Sequence, residues 1–150
     1  MPTRDWSEIR HFDRDEFKND PDRIAWDVVL LLDEMRDAAQ VPILIHVGFD
    51  SSGHVEDSSH YAKHTEYATA VDFHFVGWSL LKQWIHTEKF GWYSVGLYPF
   101  WSSPGLHVDL RRIGRDHPQM GRRWWRDQSG VYQPLTATFI RQLATEATDI

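Results

Sequence analysis

Ala70-Val71-Asp72-Phe73-His74-Phe75 and Gly105-Leu106-His107-Val108-Asp109-Leu110 decide how this chain is read. Each is a short apolar run in which a His and an Asp stand two residues apart. In an extended strand, residues at i and i+2 project to the same face. Each segment therefore presents one carboxylate and one imidazole together, with an apolar residue on the opposite face. If the two strands are neighbours, their polar groups converge on one patch of sheet.

The surrounding sequence supplies the rest of such a domain. Upstream, residues 50–64 carry Asp, Ser, Gly and His without periodicity and read as a long loop holding His54, His60 and His64. Before it, Ile43 to Phe49 reads as a buried strand following Pro42. Asp20-Pro21 reads as a helix start, with Asp20 as N-cap, and Ile24, Val28, Leu31, Leu32 and Met35 recur at helical spacing as far as Ala39. Residues 1–18 read as an irregular leader packed on the body through Trp6, Phe12 and Phe17. Downstream, Ser79 is expected to cap a helix reaching Phe90, with Leu80, Leu81, Trp84 and Ile85 on its apolar side. Trp92 to Tyr98 and Gly105 to Leu110 read as strands joined by a Pro/Ser turn. Arg123 to Arg126 and Val131 to Gln133 suggest a small hairpin, and Thr136 to Ala147 a closing helix. Short strands and helices without long crossovers predict an α+β fold, with a small antiparallel sheet at its centre and helices flanking it.

Composition bounds the function. The 150 residues show no internal repeat or linker and fit one domain, 1–150. A hydrophobic fraction of 41% and a charged fraction of 25% are globular values. No apolar run approaches the ~18 residues that span a bilayer, so no membrane partner is expected. A net charge of -6 argues against nucleic acid, whose phosphates call for a clustered basic surface. There is no Cys, so any metal site must use nitrogen and oxygen ligands, and 9 His are present.

Polar groups brought together on a sheet are costly to bury unless they bind one another, a metal or water. One reading of the paired strands is a hydrogen-bonded structural network. The other is a catalytic zinc site, in which three His and carboxylate ligands leave one position for water. The ligands would be a histidine of the loop, Asp72 and His107. Asp109 or His74, on the same faces, would act as general base or hold a ligand in orientation. His46, in the Ile43 to Phe49 strand, could reach the same face, but its first reading is a satisfied core histidine. Trp124-Trp125 with Tyr132 reads as the cover of a small core or as a stacking platform for a glycan or peptide. Arg122, Arg123 and Arg126 form a local basic patch whose default reading is a solvated face.

Four segments in order, Ser58-Ser59-His60-Tyr61, Ala70-Val71-Asp72-Phe73, Gly96-Leu97-Tyr98-Pro99 and Leu106-His107-Val108-Asp109-Leu110-Arg111, resemble the zinc D-Ala-D-Ala metallopeptidase superfamily. That group includes peptidoglycan carboxypeptidases, phage endolysin peptidases and the hedgehog signalling domain. The resemblance covers about residues 40–112 and implies that fold, a Zn²⁺ cofactor and hydrolysis of peptidoglycan stem peptides or cross-links. It implies Asp72 and His107 as zinc ligands, joined by His64 or His60. Relative to the family spacing, His64 needs one inserted residue and His60 five, so His64 is preferred. Arg111 and Tyr98 become the expected substrate contacts.

Departures from the family pattern matter as much. Ala68 replaces a Gly, and Val47-Gly48-Phe49-Asp50 stands where many members have S-G-Y-R, an acid in place of the carboxylate-holding Arg. Pro104 occupies the position where some members carry a catalytic Glu, leaving Asp109 first and His74 second as general base. The alternative to an enzyme is a catalytically idle binding or structural module of the same fold. A monomer is expected. With no secretory signal at the N-terminus, the chain is expected to be made in the cytoplasm and, if phage-associated, delivered to the cell wall.

Overall fold

The computed structural model describes residues 4–48, 67–110 and 123–150. Expectations placed on His54, His60, His64, Asp50, Arg111 and Arg122 lie outside the described residues. Within them the chain is α+β, with strands β1 (Ile43–Val47), β2 (Ala70–Phe75), β3 (Ser94–Tyr98), β4 (Gly105–Asp109), β5 (Arg123–Arg126) and β6 (Tyr132–Pro134). Three helices accompany them among the described residues: α1 (Trp26–Ala39), α2 (Leu80–Thr87) and α3 (Ala137–Glu146). The strands form one open sheet in the order β1-β2-β4-β3-β5-β6.

The two strands that opened the sequence reading are neighbours. β2 pairs antiparallel with β4, setting Asp72 opposite His107 and Ala70 opposite Asp109. β4 then pairs with β3 as a hairpin. The sheet is mixed rather than purely antiparallel, because β5 adds to the outer edge of β3 in parallel, with Gly96 opposite Trp124. The β5–β6 hairpin thus extends the central sheet instead of packing on it, and it satisfies backbone groups that β3 would otherwise leave at an edge.

One face of the sheet is apolar. Val71, Val108 and Val95 form one cross-strand row and Phe73, Leu106, Leu97 and Trp125 the next. This face joins Val28, Val29, Leu32 and Met35 of α1 and Phe139 and Leu143 of α3 in a single core cluster. Trp125 stacks on Phe139 with ring centroids 4.2 Å apart, so it is packing and not a ligand platform.

Two helix expectations are corrected. Asp20 does not cap a long helix: Pro21–Arg23 form a 3-10 turn, and α1 begins only at Trp26. Ile24 is instead held extended in a parallel bridge to Ala68, with Ala25 N–H donating to Ala68 O and Ala68 N–H to Arg23 O. On α2 the Ser79 cap holds, its hydroxyl accepting from Lys82 N–H. The buried side is Leu80, Leu81, Gln83 and Thr87, while Ile85 is exposed. Gln83 displaces it because its amide bonds three backbone groups: it accepts from Phe75 N–H and donates to Trp78 O and Pro104 O. That side chain ties the end of β2 to the start of β4.

The leader is packed on the body as expected, with Ile9, Phe12 and Phe17 buried. Its anchor is Asp33 of α1, a 4% exposed carboxylate that accepts from the N–H groups of Arg10 (3.1 Å) and His11 (2.9 Å). Truncating it leaves both donors without an acceptor. Asp33→Ala is expected to lower unfolding free energy by about 2–4 kcal/mol in denaturant titration and to raise protease cleavage within residues 4–20.

Candidate functional site

The second face of the sheet is polar at its centre. Because side chains alternate, the register assigns Asp72, His107, Gly96 and Trp124 to one row across four strands, and Ala70, Asp109 and Ser94 to the row beside it. His74 and Tyr98 flank Gly105 in the next row. Two glycines make this face possible. A Cβ on Gly96 would lie 2.4 Å from the Trp124 ring, and one on Gly105 would lie 2.9 Å from the His74 Cβ. Trp124 therefore lies flat over Gly96, fully buried, with its ring 5.5 Å from that of His107. Like Trp125, it is packing; it walls one side of the polar centre.

The centre is an Asp–His–Asp cluster. His107 Nδ1 is 2.8 Å from Asp72 Oδ1, and His107 Nε2 is 3.9 Å from Asp109 Oδ2. Asp109 is 1% exposed and accepts from the Thr69 hydroxyl at 2.9 Å. Burial works against a charge on His107, but the bonds from Asp109 and Asp72 outweigh it and hold its pKa up at about 9. A buried carboxylate, Asp109, and a partly buried one, Asp72, thus face one imidazole.

A second histidine pair lies alongside. His46 Nε2 is 2.6 Å from His74 Nδ1, and the His46 ring packs at 4.9 Å on Trp101, which stacks on Tyr98 at 4.3 Å. Both imidazoles are pushed below their ordinary pKa by burial, His46 further by its neighbour His74. His46 is therefore not the core histidine expected. A register shift between Ile45 and Val47 brings His46 and Val47 together opposite Asp72, on the polar face. Strand alternation carried the clue, since Ile43 and Ile45 point to the core and His46 has the opposite parity. An open cleft of about 420 Å³ adjoins these groups, bounded by Lys18, His46, Asp72, Trp101, Ser102 and Ser103. Nothing in the sequence singled out Lys18.

Of the expected site residues, the fold brings Asp72, His107, Asp109, His74 and Tyr98 to one face. His64, His60 and Arg111 lie outside the described residues. The basic patch is not solvated at Arg123, whose guanidinium bonds Glu88 at 2.8 Å and Tyr93 O at 2.9 Å.

The donor set fits zinc. Nitrogen and carboxylate oxygen are its usual ligands where thiolate is lacking; at 2.8 Å the His107 and Asp72 atoms are directly hydrogen-bonded, and two donors bound at ~2.0–2.2 Å in a tetrahedron would stand roughly half an ångström further apart. Among the described residues no group of three metal-competent side chains is assembled. The third member of the expected set, His64 or His60, lies outside the described residues.

The cluster makes stability depend on pH in the metal-free protein. A folded pKa of about 9, above the ordinary 6.5, means that the stabilisation is complete below pH 6.5 and is lost as pH rises through 9. Denaturant titration in chelator is expected to show lower stability at pH 9 than at pH 6.5, and His107→Asn to flatten that difference. No protein-family model, curated protein or solved structure matches this chain, so a functional reading rests on the geometry of this face.

Proposed function

We propose that this protein is a zinc-dependent peptidase that hydrolyses peptide bonds in peptidoglycan stem peptides or their cross-links. The carrying observation is the cross-strand pair Asp72–His107, whose donor atoms stand 2.8 Å apart beside an open cleft. The order of elements from β1 to β4, and the placement of Asp72 and His107 on adjoining strands, support the resemblance to the D-Ala-D-Ala metallopeptidase superfamily. Asp72 and His107 would hold the metal together with His64 or His60. When bound, zinc supplies Lewis acidity: it polarises a scissile carbonyl and lowers the pKa of water to ~7.

The chain's own residues then divide the work. Asp109, buried and anchored by Thr69, fixes the orientation of the His107 ring, the part that carboxylates play behind ligating histidines. It is too deeply placed to touch substrate. His74, half-buried and held by His46, is the better placed of the two to accept and return a proton. Tyr98 and Trp101 form an apolar wall on which a substrate side chain can lie.

A second reading, a zinc-holding module without catalysis, is favoured by one observation. Among the described residues Asp72 is the one carboxylate bordering the cleft, and Pro104, which stands where some members carry a catalytic Glu, has its carbonyl tied to Gln83. Metal analysis and peptidoglycan digestion separate the two. The enzyme reading expects one Zn²⁺ per chain, release of muropeptides, and loss of turnover by at least a hundredfold in His107→Ala, Asp72→Ala or chelator. Of His64→Ala and His60→Ala, one alone should abolish tight zinc binding. Stoichiometric zinc without turnover on any muropeptide supports the idle module, and failure to bind zinc overturns both.

A further inference from the structure

Among the described residues, the imidazole that borders the 420 Å³ cleft beside Asp72 is that of His46. His74 lines the adjoining hollow instead, with Glu16, Leu44 and His46. The strand that carries His46 sends Ile43 and Ile45 into the core, and the register shift between Ile45 and Val47 turns His46 to the polar face. Such a shift interrupts the ladder, and its usual consequence beside a site is to re-aim one side chain. The re-aimed ring is held on two sides. His46 Nε2 lies 2.6 Å from His74 Nδ1, and the ring packs at 4.9 Å on Trp101, itself stacked on Tyr98 at 4.3 Å. His74 is seated in turn by Gly105, where a Cβ would stand 2.9 Å from the His74 Cβ.

In a hydrogen bond between two neutral imidazoles one nitrogen donates and the other accepts, so the bond fixes which nitrogen of each ring is bare. With His46 Nε2–H donating to His74 Nδ1, both rings carry the proton on Nε2, the form a neutral imidazole ordinarily prefers. His46 Nδ1 then keeps its lone pair, and it has no hydrogen-bond partner among the described residues. The opposite direction would put the His46 proton on Nδ1 and leave this ring no basic nitrogen for the cleft. Other bases are placed worse. Asp109 is 1% exposed behind His107, and the Pro104 position offers no side-chain base.

We propose that His46 is the catalytic base of the cleft and that His74 is its positioning residue. The proposal rests on the peptidase reading of the same cleft and names the group that handles the proton there. His46 Nδ1 takes a proton from water as the water oxygen bonds the scissile carbonyl carbon, and gives that proton to the departing amine as the C–N bond breaks. One water is consumed, an acid and an amine are formed, and His46 returns to its starting form. His74 fixes the tautomer and the ring plane of His46 throughout. It enters the proton transfer through the Nε2–H···Nδ1 bond and not by facing the substrate. The competing reading is a purely structural tie between β1 and β2, which predicts lost stability without a selective loss of turnover.

The test assays zinc-loaded protein on purified peptidoglycan and on a soluble muropeptide prepared from it. His46→Phe keeps an aromatic ring against Trp101 but has no nitrogen. It should lose about a hundredfold or more in kcat, the scale of one general base, with KM and zinc stoichiometry close to wild type. His74→Phe should lose on the order of tenfold, because the base remains but is no longer held. His74→Asn, whose amide oxygen can stand near the place of Nδ1 and accept from His46 Nε2–H, should recover most of that loss. Long-range ¹H–¹⁵N correlation NMR of the wild type, which depends on no variant, should show both imidazoles protonated on Nε2. Turnover little changed in His46→Phe, a larger loss in His74→Phe than in His46→Phe, no recovery in His74→Asn, or a His46 proton on Nδ1 would each overturn the proposal. If His46→Phe melts before assay, the His74 pair and the NMR decide it. Wild type that holds zinc and hydrolyses neither substrate overturns the peptidase reading and this role with it. Turnover that survives His46→Phe overturns the role of His46 alone.

Discussion

The structure turns on the pairing of Asp72 with His107 across β2 and β4. A cross-strand pair in the middle of a sheet is set by register, and a slip of one residue would drive both side chains into the apolar core. The register is protected by that core: Val71 with Val108 and Phe73 with Leu106 would be turned outward by the same slip. Hydrophobic burial on one face thus specifies the polar chemistry on the other. Asp109 follows from the same pairing, since it lies two residues after His107 and shares its face.

Space on the polar face is made by residues that contribute no side chain. Gly96 admits the Trp124 ring, and Gly105 admits His74 close to the β4 backbone. Trp124 arrives only because β5 joins β3 in parallel, so a late hairpin completes a wall around a centre built from much earlier strands. The opposite wall comes from the leader and from the β3–β4 turn, which bring Lys18 and Trp101 to the same cleft. Asp33 holds the leader by its backbone N–H groups, so an acid on α1 indirectly shapes the rim of a site on the far side of the sheet.

Much of this was legible from local pattern. The Asp-x-His and His-x-Asp spacings, together with strand alternation, assigned their side chains to common faces, and Ser79 announced the start of α2. Other features were hidden because a distant group overrode local preference. Asp20-Pro21 has the form of a helix start, but the bridge from Ile24 to Ala68 keeps the chain extended until Trp26. Ile85 has helical spacing with Leu81, yet Gln83 takes the inner side because three backbone groups need its amide. His46 was read first as a core histidine, with the polar face as its alternative; its parity, opposite to that of Ile43 and Ile45, pointed to the polar face.

The sequence by itself determined the fold class, the residues that share a strand face, and the restriction of any metal site to nitrogen and oxygen donors. These are properties of composition and of period-two geometry, and they need no knowledge of neighbours. Only the tertiary structure decided that β2 and β4 adjoin in the register that brings Asp72 to His107. It alone placed β5 parallel to β3, and set Lys18, His46 and Trp101 around one cleft. Those outcomes depend on contacts between residues far apart in the chain, where burial of one face and satisfaction of backbone groups choose among pairings that local pattern leaves equivalent.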